Sequence, residues 1–134
     1  QARVKLLLDT HVWWWWVTGE ARLSAAQRRQ LRTVSPSEPA LVSDISLWEI
    51  ATLASLGRIE LDVPLRDWLE NATAPPLVQR CGISPAVAAE VAALPDSFHR
   101  DPADRILVAT ARIHGARLIT SDRRIIRSKL VPTV

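Results

Sequence analysis

The chain has 134 residues, 48% hydrophobic and 23% charged, with 17 basic against 14 acidic side chains and a formal charge of +3. One domain of this size buries enough apolar surface to fold without disulfides, so residues 1–134 are read as one unit rather than two cores. The charged fraction excludes a disordered tail, and no apolar stretch approaches the about twenty residues of a membrane span.

Residues 4–8 form an apolar-rich run ending at Asp9, which reads as a strand buried on both faces. Residues 10–17 read as a short helix stopped by Gly19. Ser24 and Gln27 have capping-box spacing and open a second helix toward Arg32. After a proline-containing connection, residues 40–43 read as a strand. Ser46 and Glu49 form another capping box, leading a helix that ends at Gly57. Residues 59–62 read as a short strand or extended link, and Pro64 sits in the first turn of a helix carrying Leu65, Trp68 and Leu69. Residues 77–81 are a strand candidate, and Ser84-Pro85 starts an Ala-rich helix. Asp101-Pro102 is an N-cap with proline at the first helical position, and Gly115 closes the helix that follows. Residues 117–120 read as a strand and 122–127 as a final helix. Strands alternate with helices, which predicts an α/β domain with a mainly parallel sheet covered on both faces.

Sites in such sheets form at the carboxyl ends of the strands. Carboxylates recur there: Asp9 after the first strand, Glu49 in the helix after the second, Asp104 one turn past Asp101, and Asp122 after the last strand. Acids at helix starts also stabilise helices with no chemistry at all, and Glu49, Asp104 and Asp122 each admit that reading alone. Asp9 admits it least, because a buried carboxylate without a partner is costlier than a neutral polar group, itself about 2–7 kcal/mol. Four converging carboxylates repel one another and call for a hard divalent cation, Mg²⁺ or Mn²⁺ in preference to zinc, since no Cys/His set has ligand spacing.

Four segments carry a resemblance over essentially the whole chain. They are Leu6-Leu7-Leu8-Asp9-Thr10-His11, Ser43-Asp44-Ile45-Ser46-Leu47-Trp48-Glu49-Ile50-Ala51, the run from His99 through Asp101, Asp104 and Arg105 to Ala111, and Leu118-Ile119-Thr120-Ser121-Asp122. In this order they resemble the PIN-domain ribonucleases, specifically the VapC-type toxins of bacterial toxin–antitoxin pairs. The resemblance implies a PIN-like three-layer α/β/α sandwich, with Asp9, Glu49, Asp104 and Asp122 as catalytic and metal-binding acids. It further implies a Mg²⁺-dependent endoribonuclease whose metal activates water for in-line attack, leaving 5′-phosphate and 3′-hydroxyl ends. A cognate antitoxin is the implied inhibitor and a homodimer the expected assembly. Asp101 is a helix cap or an outer-shell support of the metal, and Thr10 a cap or a hydroxyl that positions water or a ligand. Arg100, Arg105, Arg123 and Arg124 flank the acids and are candidates for RNA phosphate contacts, or else a solvated face paired with those acids.

The remaining features weigh less. Fifteen of the 17 basic residues are Arg, suited to phosphate, but +3 over a domain is a weak nucleic-acid signal alone. The lone Cys81 excludes an internal disulfide, and the run after Val4 is too short for a signal peptide, so a reducing cytoplasm is expected. A chain opening on Gln1 in place of Met is expected to have lost or exchanged its first residues. His11, His99 and His114 lack a Ser or Cys to activate, and only His99 falls near the acids. Six Trp against one Phe include four in succession, Trp13, Trp14, Trp15 and Trp16. Consecutive helical residues point about 100° apart, so the four cannot all face one core; at least one is expected at an interface, with base stacking a lesser alternative. Two rival functions remain: a catalytically silent RNA- or protein-binding module of the same fold, and a phospho-acceptor receiver domain. The second needs paired acids and a late Lys, which Asp9, Lys5 and Lys129 do not supply.

Overall fold

The computed structural model describes residues 4–134; residues 1–3, on which the expectation of an altered start rests, lie outside the described residues. The elements run β1 (Lys5–Leu8), α1 (Thr10–Thr18), α2 (Ala25–Leu31), β2 (Ala40–Ser43), α3 (Asp44–Ser55), α4 (Leu65–Ala72), β3 (Val78–Cys81), α5 (Pro85–Ala93), α6 (Pro102–His114), β4 (Ala116–Ile119) and α7 (Arg123–Ser128). The strands form one sheet in the order β3-β2-β1-β4, with every pairing parallel. "Mainly parallel" is thus sharpened to wholly parallel.

Alternation along β1 explains the three layers, because successive side chains point to opposite faces. Leu6 and Leu8 pack with Val12, Trp13, Ile50, Trp68 and Ala72 from α1, α3 and α4. Leu7, between them, packs instead with Leu107, Val108 and Ala111 of α6 and Ile125 of α7. Leu7 and Leu8 are both 0% exposed, so each contributes about 1.5–3 kcal/mol by burial. Double-sided burial is why β1 reads as a continuous apolar run rather than an alternating one.

Local chemistry sets the ends of the helices. Ser24 and Gln27 form the expected capping box on α2, Ser84 caps α5 ahead of Pro85, and Asp101 caps α6 ahead of Pro102. Gly115 closes α6 at φ 61°, a left-handed conformation that glycine adopts without Cβ strain. One expectation is corrected and one open alternative is decided. Helix α3 starts earlier than Ser46: Ser43 is its cap, which moves Glu49 from a capping position into the second turn. Residues 59–62 form no strand and run as an irregular link, with bends at Ile59 and Asp62, into α4. Among the described residues no helix is long and apolar enough to cross a membrane.

Candidate active site

The chain runs outward from β1 to β2 and β3, then returns to place β4 on the other side of β1, so the order reverses between β1 and β4. Ligands gather at such a switch point, outside the carboxyl ends of the strands. Asp9 stands there, its backbone N–H still paired with the Ile119 carbonyl at 3.0 Å. It is 8% exposed and both carboxylate oxygens are held: Thr10 N–H donates to Oδ1 at 2.7 Å, and the Thr120 hydroxyl donates to Oδ2 at 2.6 Å. Burial still pushes the Asp9 carboxyl above the usual carboxylate range, against the lowering effect of those bonds.

Asp9, not Thr10, is the N-cap of α1, which corrects the capping duty expected of Thr10. The Thr10 hydroxyl reaches across to α3, donating to Glu49 Oε1 and sharing a 2.8 Å contact with Ser46 Oγ. Since Thr10 has one hydroxyl proton and the Glu49 carboxylate only accepts, Ser46 is the donor to Thr10. Burial raises the Glu49 carboxyl too, with Asp9 and Asp101 adding repulsion.

Asp104 is the most perturbed group. Burial, followed by the charges of Asp101, Asp9, Asp122 and Glu49, pushes its carboxyl up to about 7. All five acids therefore share one field. Asp101 serves as the α6 cap, donated to by Ala103 N–H at 3.0 Å and Asp104 N–H at 3.3 Å. Asp122 caps α7, donated to by Arg124 N–H at 2.8 Å and Ile125 N–H at 3.3 Å. These caps do not exclude a second use, because each is made by Oδ1; on Asp122 the other oxygen faces Arg124.

Among the described residues, no three Asp, Glu, His or Cys side chains form a ready-made cation cage. The donor chemistry still fits a hard divalent ion: all-oxygen ligands that repel one another, Asp9 buried and Glu49, Asp104 and Asp122 half-buried at the rim. Two basic side chains stand against these acids. Arg124 Nη2 lies 3.8 Å from Asp104 Oδ2 and 3.7 Å from Asp122 Oδ2, and His99 Nε2 lies 3.2 Å from Asp104 Oδ2.

Of the four arginines expected to contact phosphate, Arg100, Arg123 and Arg124 are exposed. Arg105 is not, and its candidacy is withdrawn. Its guanidinium is buried against the carbonyls of Phe98 at 3.0 Å, His99 at 3.3 Å, Val91 at 3.4 Å and Leu94 at 3.5 Å. The tryptophans divide similarly. Trp13 is 0% exposed and its indole N–H donates to the Ala72 carbonyl at 3.0 Å, so it belongs to the core and not to an interface. Trp14, Trp15 and Trp16 are half-buried at the edge of that core.

The sequence reading gives Thr120 no role of its own and Ser46 and Gln27 only capping roles. Gln27 is buried, and beyond its capping role its side-chain amide donates at 3.2 Å to the Thr120 carbonyl and at 3.2 Å to that of Val134. Signals for the first two were present: a hydroxyl closing an apolar strand at Thr120, and Ser46 one helical turn before Glu49 on the same face.

An acid-lined carboxyl edge on a parallel sheet, closed by crossover helices, defines the class of the molecule. The chain belongs to the PIN domain family, which its residues 6–129 match. It is 43% identical over 120 residues to ribonuclease VapC22 of Mycobacterium tuberculosis, a match covering 90% of this chain and 88% of that protein. Its fold is shared with VapBC2 from Rickettsia felis, solved bound to a DNA fragment from their promoter (TM-score 0.72, 12% identity, 98% of both chains). FitAcB from Neisseria gonorrhoeae has the same fold (TM-score 0.66, 19% identity, 96% of this chain and 95% of that one). The resemblance to VapC-type PIN domains is therefore borne out, and the receiver-domain alternative is set aside.

Proposed function

We propose that this chain is a divalent-metal-dependent endoribonuclease of VapC type, restrained by a cognate antitoxin protein. One observation carries the reading: Asp104 feels the charges of Asp9, Glu49, Asp101 and Asp122 together, at the edge where a parallel sheet binds ligands. The relative's name, ribonuclease, supports the substrate, and the toxin–antitoxin complex from Klebsiella pneumoniae, which has this fold, supports the partner.

Asp9, Glu49, Asp104 and Asp122 would hold Mg²⁺ or Mn²⁺. Bound there, the cation supplies Lewis-acid activation of water and stabilises charge on the phosphodiester. The chain's own residues supply position. Thr120 and the Thr10 amide fix both oxygens of Asp9, while Ser46 and the Thr10 hydroxyl fix Glu49. Arg100 and Arg123 are exposed and can meet phosphate, and Arg124, exposed beside Asp104 and Asp122, would exchange those acids for it. The half-buried indoles of Trp14, Trp15 and Trp16 border cavities of about 680 and 520 Å³, and this apolar face suits the antitoxin or a second copy of the chain.

The test is RNA cleavage by the purified chain with and without Mg²⁺, followed by sequencing of RNA ends after brief expression. The expected products carry 5′-phosphate and 3′-hydroxyl ends, and Asp9→Asn abolishes them. Cleavage retained by Asp9→Asn would overturn the metal-site assignment, and no cleavage by the unsubstituted chain would favour the silent binding module.

A further inference from the structure

A cavity of about 380 Å³ lies between α7 and the loop leading into α6, and Phe98, His99, Arg124, Arg127 and Leu130 line it. It adjoins the acids, because two of its walls touch them: His99 lies against Asp104, and Arg124 reaches both Asp104 and Asp122. Phe98 forms an aromatic wall, its ring edge-on to His99 at 4.6 Å between centroids. Neither ring nitrogen of His99 has a hydrogen-bond partner, although both are shielded from solvent; Nε2 is near Asp104 but not aligned for a bond. Shielded polar atoms are nearly always satisfied, so an orphan Nδ1 on a ring that lines a cavity marks a missing partner. Arg127, exposed on the last turn of α7, has no acidic partner among the described residues.

An apolar floor, an unsatisfied polar edge and two guanidiniums suit a ligand that is aromatic at one end and anionic at the other. The volume falls in the range of small-molecule sites, roughly 300–1,000 Å³. We propose that this cavity receives one nucleotide of the RNA strand beside the bond that is cut. The base rests against Phe98 and Leu130, His99 Nδ1 meets its polar edge, and its phosphate lies on Arg127 and Arg124. Arg124 is the shared residue, partnered with Asp104 and Asp122 without RNA and with phosphate when the strand is bound. The proposal rests on the ribonuclease reading and adds to it a subsite that selects the base, since a polar edge left unpaired by the wrong base is penalised strongly.

Binding is measured in EDTA, where cleavage is suppressed, by fluorescence anisotropy of labelled single-stranded RNA 12-mers of oligo(A), oligo(C), oligo(G) and oligo(U). Arg127→Ala is expected to weaken binding by about 5- to 10-fold and to flatten the salt dependence by about 0.7 in log–log slope, as for one lost phosphate contact. Arg66→Ala, which removes a guanidinium paired with Glu70 on α4, is the control and is expected to leave binding unchanged. His99→Leu is expected to narrow the preference among the four oligomers. If Arg127→Ala binds like Arg66→Ala, or the preference survives His99→Leu, the subsite is overturned, while Mg²⁺-dependent cleavage by the unsubstituted chain keeps the nuclease reading standing. If the unsubstituted chain neither binds nor cleaves these RNAs, both readings fall.

Discussion

The Thr120 hydroxyl donates to Oδ2 of Asp9 at 2.6 Å, joining the ends of two adjacent parallel strands that lie 111 residues apart in sequence. It is also held in turn, accepting from the Asp122 N–H at 3.0 Å, so one hydroxyl orders two of the four acids. Thr120→Val keeps the shape and removes the donor. An unsatisfied buried acceptor costs about 1–3 kcal/mol, so thermal denaturation should shift down by several degrees, with Thr120→Ser close to the parent. RNA cleavage should fall with Val and persist with Ser. Equal activity in the Val variant would show that Asp9 needs no such anchor.

Crowded acids also dictate how stability varies with pH. The Asp104 carboxyl rises from an ordinary 3.8 to about 7 in the folded chain, and Asp9 and Glu49 rise too. Between about 4 and 7 the folded chain therefore holds protons that the unfolded chain has released, and stability must fall as pH rises through that window. Unfolding in EDTA should be harder at pH 5 than at pH 7.5. Mg²⁺ should flatten the slope by supplying the countercharge, and Asp104→Asn should flatten it without metal. A metal-free chain whose stability climbs from pH 5 to 7.5 would show that the acids do not share a field.

Arg105 illustrates why charge patterning misleads. Its guanidinium spans carbonyls from the end of α5 to the loop before α6, tying together the segments that frame Asp104. Arg105→Lys keeps the charge but not the fork, leaving several carbonyls without a donor and a buried ammonium poorly satisfied. The expected loss is on the order of 3 kcal/mol for Lys as well as for Ala, read by urea denaturation. If Lys restores stability, the residue acts as a point charge and its assignment to RNA contact reopens.

Elements and caps were legible because their causes are local: β1 is apolar on both faces, and Ser24, Ser84 and Asp101 sit where orphan helix N–H groups need acceptors. The four acids were legible as strand-end carboxylates for the same reason. What holds them was not. Thr120 meets Asp9, and Thr10 meets Glu49 and Ser46, only once the sheet order is formed, and a hydroxyl is common enough in sequence to carry no signal alone. The start of α3 is ambiguous in sequence because Ser43 and Ser46 both suit a cap and both are buried; the Ser43 hydroxyl accepts from the Ile45 N–H, whereas that of Ser46 is engaged with Thr10. Arg105 reads as surface charge until the carbonyls around it are in place.

The tryptophan run ends as two kinds of residue with opposite tests. Trp13 is fully buried, edge-on to Trp68 at 5.3 Å between centroids, and bonded to the Ala72 carbonyl. Trp13→Ala should cost about 3–5 kcal/mol, a large fraction of the roughly 5–15 kcal/mol that typically holds a domain folded. Trp13→Phe keeps most of the volume but strands that carbonyl, so its cost should be about 1–3 kcal/mol. Trp16, half-buried beside open cavities, loses less packing when truncated, and Trp16→Ala should leave the melting temperature within a few degrees while weakening self-association or antitoxin binding in sedimentation and titration experiments. Had all four indoles served an interface, the stability costs would be alike. A large loss at Trp13 with assembly affected only at Trp16 separates a core wedge from a docking face on one helix.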